Sequence, residues 1–153
     1  IERLLNVDLV VYLARHQPYL TSVQINKLID DGFAIGAHSI DHPLYSDLSL
    51  EEQVKQTIDS VRFVRNKYNL CYGAFAFPHS DTGVSKQYFA QIEESGLVDI
   101  SFGTAGMIGD SISYNFQRFS LEKPLMPANE IIALQIAKRF LRIAKQSNQI
   151  IRF

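Results

Sequence analysis

His38 and His42 are the residues whose type and spacing point most directly to chemistry, in the run Gly36-Ala37-His38-Ser39-Ile40-Asp41-His42-Pro43. Two imidazoles four positions apart reach a single divalent metal ion, and neutral imidazole is a common ligand for zinc and its neighbours. The spacing alone is weak, because any histidine-bearing helix produces it. The setting adds weight. Phe33-Ala34-Ile35 before the pair reads as a buried strand, and Pro43 after it steers His42 away from the helical region. In parallel α/β proteins ligands bind at the carboxyl ends of strands. Two more strand ends carry polar groups, Pro78-His79-Ser80-Asp81-Thr82-Gly83 and Asp99-Ile100-Ser101-Phe102-Gly103-Thr104. Three of the four histidines therefore fall at the first two strand ends, a concentration that stability does not require. His16, before Gln17-Pro18, reads as solvated.

The elements that must position these groups are legible from residue 21 onward. Before it, the apolar run over 7–13 suits helix or strand, and the apolar segment 4–13 suits packing in the core or against another subunit. Thr21 and Gln24 form a capping box opening a helix with Ile25, Leu28 and Ile29 on one face, ended by Gly32. A strand over 33–37 follows. Ser49 and Glu52 form a second capping box, and the long helix behind it turns Val54, Ile58, Val61 and Val64 inward. The aromatic run 71–77 reads as a strand stopped by Pro78, with Cys71 as a small buried hydrophobe and Phe75 and Phe77 as core. A helix over 84–95 carries Tyr88, Phe89 and Ile92, with Asp81-Thr82 as its expected cap and Gly96 as its stop. Strands are expected over 98–102 and 116–121, with a glycine-containing loop over 103–109 between them. Arg118 lies where it reaches the site mouth or pairs with Glu122. A last helix from Pro127 turns Ile132, Ile136, Phe140 and Ile143 inward. Alternating strand and helix is the pattern of a parallel sheet or barrel, and no linker or repeat divides residues 1–153, which read as one domain.

Composition narrows the partners. With 153 residues, 46% hydrophobic and a net charge of −1, the chain has material for a core but no concentrated positive field for nucleic acid. No apolar stretch approaches the ~20 residues of a membrane-spanning helix. Cys71 is the single cysteine, so any metal must rest on nitrogen and oxygen ligands. The chain opens at Ile1 with no initiator methionine and no signal peptide, and the expectation is of a sequence that begins inside a domain. Location is open between cytoplasm and cell envelope.

The segment Gly-x-His-Ser-x-x-His-Pro after a strand, then a helix, then an aromatic strand ending Phe-x-Phe-Pro, resembles the polysaccharide deacetylase family (the NodB-homology group, carbohydrate esterase family 4). The resemblance runs from about residue 17 to about residue 122. It implies a distorted, seven-stranded parallel (β/α) barrel, incomplete in this chain. It also implies removal of N- or O-acetyl groups from a sugar or polysaccharide with a divalent metal: zinc, or cobalt, nickel or manganese. His38 and His42 resemble the family's two metal-binding histidines, braced by Ser39 and Asp41. Phe75-Ala76-Phe77-Pro78-His79 resembles the segment Arg-x-Pro-Tyr, making the His79 N–H the candidate oxyanion donor and its ring a candidate acid. Three features depart. The Thr-Phe-Asp-Asp segment carrying the general base and third ligand is missing, Ala76 stands at the arginine position, and no later histidine supplies the acid.

Two readings follow from the missing aspartates. If they lie upstream, the chain is part of a metal-dependent deacetylase; if they are lost, Asp41, Asp81 or Asp99 must replace them, or the domain is an inactive carbohydrate-binding or scaffolding module. A third reading, an iron oxygenase with two histidines and one carboxylate, suits jelly-roll folds better than this helical pattern.

Overall fold

The computed structural model describes residues 8–122 and 125–153. They divide into two compact units, with the division between Ile35 and Gly36. The part of the apolar opening that lies in residues 1–7 is outside the described residues.

The first unit contains two helices. Helix α1, Leu9–His16, starts where the Asp8 carboxylate accepts from the Val10 and Val11 N–H groups at 2.9 and 3.0 Å. The run over 9–13 is therefore helical, and its apolar side chains are exposed. Helix α2, Ser22–Asp30, opens on the expected capping box: the Gln24 N–H donates to Thr21 Oγ1, and Gln24 Oε1 accepts from the Thr21 N–H. At its end the Phe33 N–H returns to the Leu28 carbonyl and the Gly32 N–H to Ile29, the paired bonds of a Schellman stop.

The second unit carries the sheet. Helix α3, Leu50–Tyr68, follows a single 3-10 turn at Tyr45–Asp47 and opens on the second expected capping box. Its apolar stripe is as expected: Val61 is buried, with Val54, Ile58 and Val64 packed against the core. The same face also buries Gln53, Thr57 and Ser60. Strand β1 is Ala74–Ala76, helix α4 is Lys86–Glu94 and strand β2 is Ile100–Gly103. The two-residue strand β3, Gly109–Asp110, precedes β4, Asn115–Gln117, and helix α5, Ala128–Ala144, precedes β5, Gln149–Ile150. Strands β1, β2 and β4 form one parallel sheet in that order, while β3 and β5 pair in parallel as a second.

The α/β class and the parallel pairing are as expected, but the sheets are small and no closed barrel is formed among the described residues. The strand expected over 33–37 contracts to one parallel bridge, Ala37 with Phe75. Strands β1, β2 and β4 are each shorter than the run expected for them, part of which lies in loop residues outside the ladder. The core is aromatic. Tyr45, Phe75, Phe77, Tyr88 and Phe89 are fully buried and meet mainly edge-to-face, with centroids 5.1–6.1 Å apart.

Three expectations are corrected. The inward residue of α5 is Ile131, while Ile132, Ile136, Phe140 and Ile143 are exposed. Ile131 lies on the side of the helix that carries Gln135, Lys138 and Arg142, so the apolar stripe read from the periodicity is the exposed one. Cys71 is exposed, since β1 begins three residues later. Helix α4 is capped by Ser85, whose Oγ accepts from the Tyr88 N–H at 3.2 Å, and not by Asp81 or Thr82.

Candidate functional site

Four polar residues leave the carboxyl ends of neighbouring parallel segments. His38 follows the Ala37 bridge, His79 follows β1, Thr104 follows β2 and Arg118 follows β4. The first two belong to a cluster of three imidazoles. His38 and His42 stand edge-to-face with ring centroids 4.9 Å apart, and His42 meets His79 at 4.5 Å. The sequence paired His38 with His42; the fold adds His79, from a segment joined by a different strand.

The backbone around the cluster is unusual. Ser39, His42 and His79 have φ of 67°, 56° and 53°. The other non-glycine residues in that region, Gln17, Asn69 and Gln146, follow helix ends, where a left-handed residue is ordinary. The histidine loops have no such excuse and cost about 1–3 kcal/mol per residue unless their surroundings hold them. Several bonds do so. The His42 N–H donates to Ser39 Oγ at 3.0 Å, and Gln56 Oε1 accepts from the Ile40 and Asp41 N–H groups. The Ser80 N–H turns back onto the Pro78 carbonyl at 2.6 Å, a three-residue turn with His79 at its apex. His42 thus takes the left-handed conformation where the proline after it predicted a departure from the right-handed helix.

The His38 ring is held from one side: its Nδ1 lies 2.7 Å from the Ala76 carbonyl, which only accepts, so Nδ1 donates there and Nε2 is the nitrogen left to face a ligand. This is how a metal-binding imidazole is held. A full metal set also needs a third donor, and the one the resemblance implies is a carboxylate. Each carboxylate that the sequence offered is engaged elsewhere. Asp41 accepts from Gln56 Nε2 at 2.8 Å. Asp99 accepts from the Gly73 N–H at 2.6 Å, ahead of β2 and β1 and so at the opposite end of the sheet. Asp81 is buried against Arg152. Among the described residues no group of three His, Cys, Asp or Glu side chains converges as a metal site. The residues present therefore fit two imidazole ligands and do not fit the complete centre.

Asp81 belongs to a buried network that sequence reasoning missed. Arg152 reaches both Asp81 and Asp110, while Asn115 and Gln117 donate to the same two carboxylates. Burial alone raises both acids, but hydrogen bonds from Gln117 and Arg152 outweigh it at Asp81, and that from Arg152 leads at Asp110, so both carboxyls lie below the usual range. Gly103 makes this possible: a Cβ there would fall 2.2 Å from Asp81 Oδ2. The signal in the sequence is weak, since Asp110 stands in a two-residue strand and Arg152 just beyond another, both far in sequence from the histidines.

Beside His79 lies a recess of about 650 Å³ lined by Thr104, Arg118, Phe119 and Glu122 among others. Arg118 donates to the Phe77 carbonyl at 2.8 Å, which places it at the site mouth, one of the two positions expected for it.

Comparison with known proteins agrees with the resemblance. Residues 6–98 match the family model described as polysaccharide deacetylase. Among solved structures, a Streptococcus pyogenes deacetylase, PplD, in complex with acetate, superposes with a TM-score of 0.58 at 20% identity, covering 74% of this chain and 50% of that one. At that identity the likeness is one of fold, and the chain spans half the length of that structure. No curated protein matches the sequence.

Proposed function

The chain belongs to the polysaccharide deacetylase family, and from that premise we propose that these residues act on acetylated carbohydrate as a binding or scaffolding module that does not by itself release acetate. One observation carries the reading: Asp41, Asp81 and Asp99 are committed to Gln56, Arg152 and Gly73. Hydrolysis of an acetamide or acetyl ester needs a group that takes the proton from the attacking water. Each of those three aspartates is instead bonded to its own partner. The recess beside His79 supports carbohydrate as the ligand class. It combines an aromatic ring, Phe119, with hydrogen-bonding groups from Arg118, Glu122 and Thr104, the mixture that a sugar's apolar face and hydroxyl rim require. The test is a titration of the purified chain with N-acetylglucosamine oligomers, with and without zinc. The expected outcome is binding without acetate. Acetate release that His38→Ala abolishes would reverse the proposal.

A second reading is favoured by the His38 geometry. An Nδ1 held by the Ala76 carbonyl and the His42 ring at 4.9 Å suit the histidine part of a metal-dependent deacetylase. Zinc, cobalt, nickel or manganese would be the ion, and its chemistry would be to polarise the acetyl carbonyl and acidify a bound water. That reading requires a carboxylate from outside the described residues. Zinc calorimetry separates the two. Binding that is lost in His42→Ala supports the metal reading, and identical traces for both proteins support the module.

A further inference from the structure

The C-terminal end of the chain holds the His79 loop. Arg152 Nη1 donates to the Asp81 carbonyl at 2.7 Å across 71 residues of sequence, and to the Val84 carbonyl at 3.4 Å. Its Nη2 bonds the Asp81 carboxylate and reaches Asp110 Oδ2 at 2.6 Å. The other oxygen of Asp81 accepts from the Thr104 N–H at 3.2 Å, and Thr104 Oγ1 donates to the His79 carbonyl at 3.1 Å. A continuous hydrogen-bonded path therefore runs from Arg152 through Asp81 and Thr104 to His79. It ends at a residue with φ of 53°, a conformation that surrounding bonds must impose.

We infer that Arg152 is a positioning residue for His79: through Asp81 and Thr104 it fixes the backbone that presents the His79 ring to His42. Its role does not extend to touching ligand, since the guanidinium is buried and its contacts are Asp81, Val84, Asp110 and the Phe89 ring face, 5.1 Å away. His38 is anchored separately, on the Ala76 carbonyl. The path thus governs one edge of the imidazole cluster and leaves the other alone. The inference rests on the reading of His38, His42 and His79 as one site, but its test needs no ligand, so a protein that binds no carbohydrate still decides it.

The experiment is imidazole NMR on the whole chain, whose four histidines give a sparse spectrum. Arg152→Lys keeps the charge but replaces a planar fork by a point donor that does not serve two carbonyls and two carboxylates together. In Arg152→Lys the His42 and His79 ring signals are expected to shift together, with loss of their mutual ring-current displacement, while His38 and His16 stay in place. Thr104→Val cuts only the last bond of the path and is expected to move the same pair. A merely structural role would move all four signals, through general loosening, or none. Folded Arg152→Lys and Thr104→Val proteins with His42 and His79 at wild-type positions would overturn the inference. Should Arg152→Lys not fold, Thr104→Val decides alone.

Discussion

At the scale of single residues, the polar groups divide into those that face solvent and those that the fold neutralises. His38, His42 and His79 are exposed, whereas the side chains of Asp81 and Asp110 are enclosed with Arg152 between them. A buried carboxylate without partners would be protonated rather than charged. Here amide and guanidinium donors reverse that tendency and hold both carboxyls below their usual range. The sign of the pH dependence follows. A carboxylate with a depressed folded pKa contributes stability that is complete above its unfolded value of ~3.9 and is lost as pH falls through its folded value. Arg152, raised further above an already high value by Asp110 and Asp81 against the effect of burial, stays charged throughout and adds no slope. Urea midpoints are therefore expected to be level on account of this network between pH 7 and pH 5, and to fall below about pH 4. In Asp110→Asn the fall between pH 4 and pH 2 is expected to be shallower than in the native chain. An equal slope in the two proteins would remove the network from the acid response.

At the scale of elements, buried polar side chains join one helix to another. Thr57 on α3 is the hub. Its hydroxyl donates to the Gln53 carbonyl at 3.0 Å and accepts from the Tyr45 and Tyr88 hydroxyls at 2.8 and 2.7 Å, which uses one donor and two lone pairs. Burial pushes both tyrosines above their ordinary range, so they remain protonated donors. Thr57→Val keeps the shape and strands two buried hydroxyls, at about 1–3 kcal/mol for each unsatisfied group. A loss of about 2–4 kcal/mol in denaturant unfolding is expected for the valine variant, and Thr57→Ser should recover most of it. If valine and serine prove equally stable, packing rather than the hydroxyl explains the residue. Elements of this kind differ in how far the sequence reveals them. Both capping boxes were legible because their partners are three residues apart, as were the α3 stripe and the stop at Gly32. Thr57 was not, since a threonine on an apolar face declares nothing until Tyr45 and Tyr88 arrive from other segments. The face of α5 was not legible because its apolar stripe is exposed and the buried Ile131 lies on its polar side.

At the scale of the whole chain, the same contrast explains what was legible of the site. His38 and His42 share one loop, and His79 directly follows a recognisable strand, so all three stood out as residues, although the contact between His42 and His79 required the fold. Asp81 looked like a helix cap because its partners, Asp110 and Arg152, lie 29 and 71 positions onward. Non-local pairs of this kind leave no periodicity to read. They also concentrate stability in short terminal pieces. The segment Gln149–Phe153 supplies β5, which pairs with β3, the Arg152 guanidinium, and the Phe153 carbonyl that accepts the Lys86 N–H at the start of α4. Deleting these five residues leaves two buried carboxylates facing each other without their cation. Breaking a buried pair by removing one partner costs about 3–5 kcal/mol, a large part of the ~5–15 kcal/mol that holds an ordinary domain folded. The truncated chain is expected to unfold at a much lower urea concentration, and Arg152→Met, which removes the cation alone, should account for most of that loss. If Arg152→Met were as stable as the native chain and only the deletion unfolded, backbone pairing of β5 would be the stabilising contribution, and the ion network would be a matter of geometry at His79 rather than of stability.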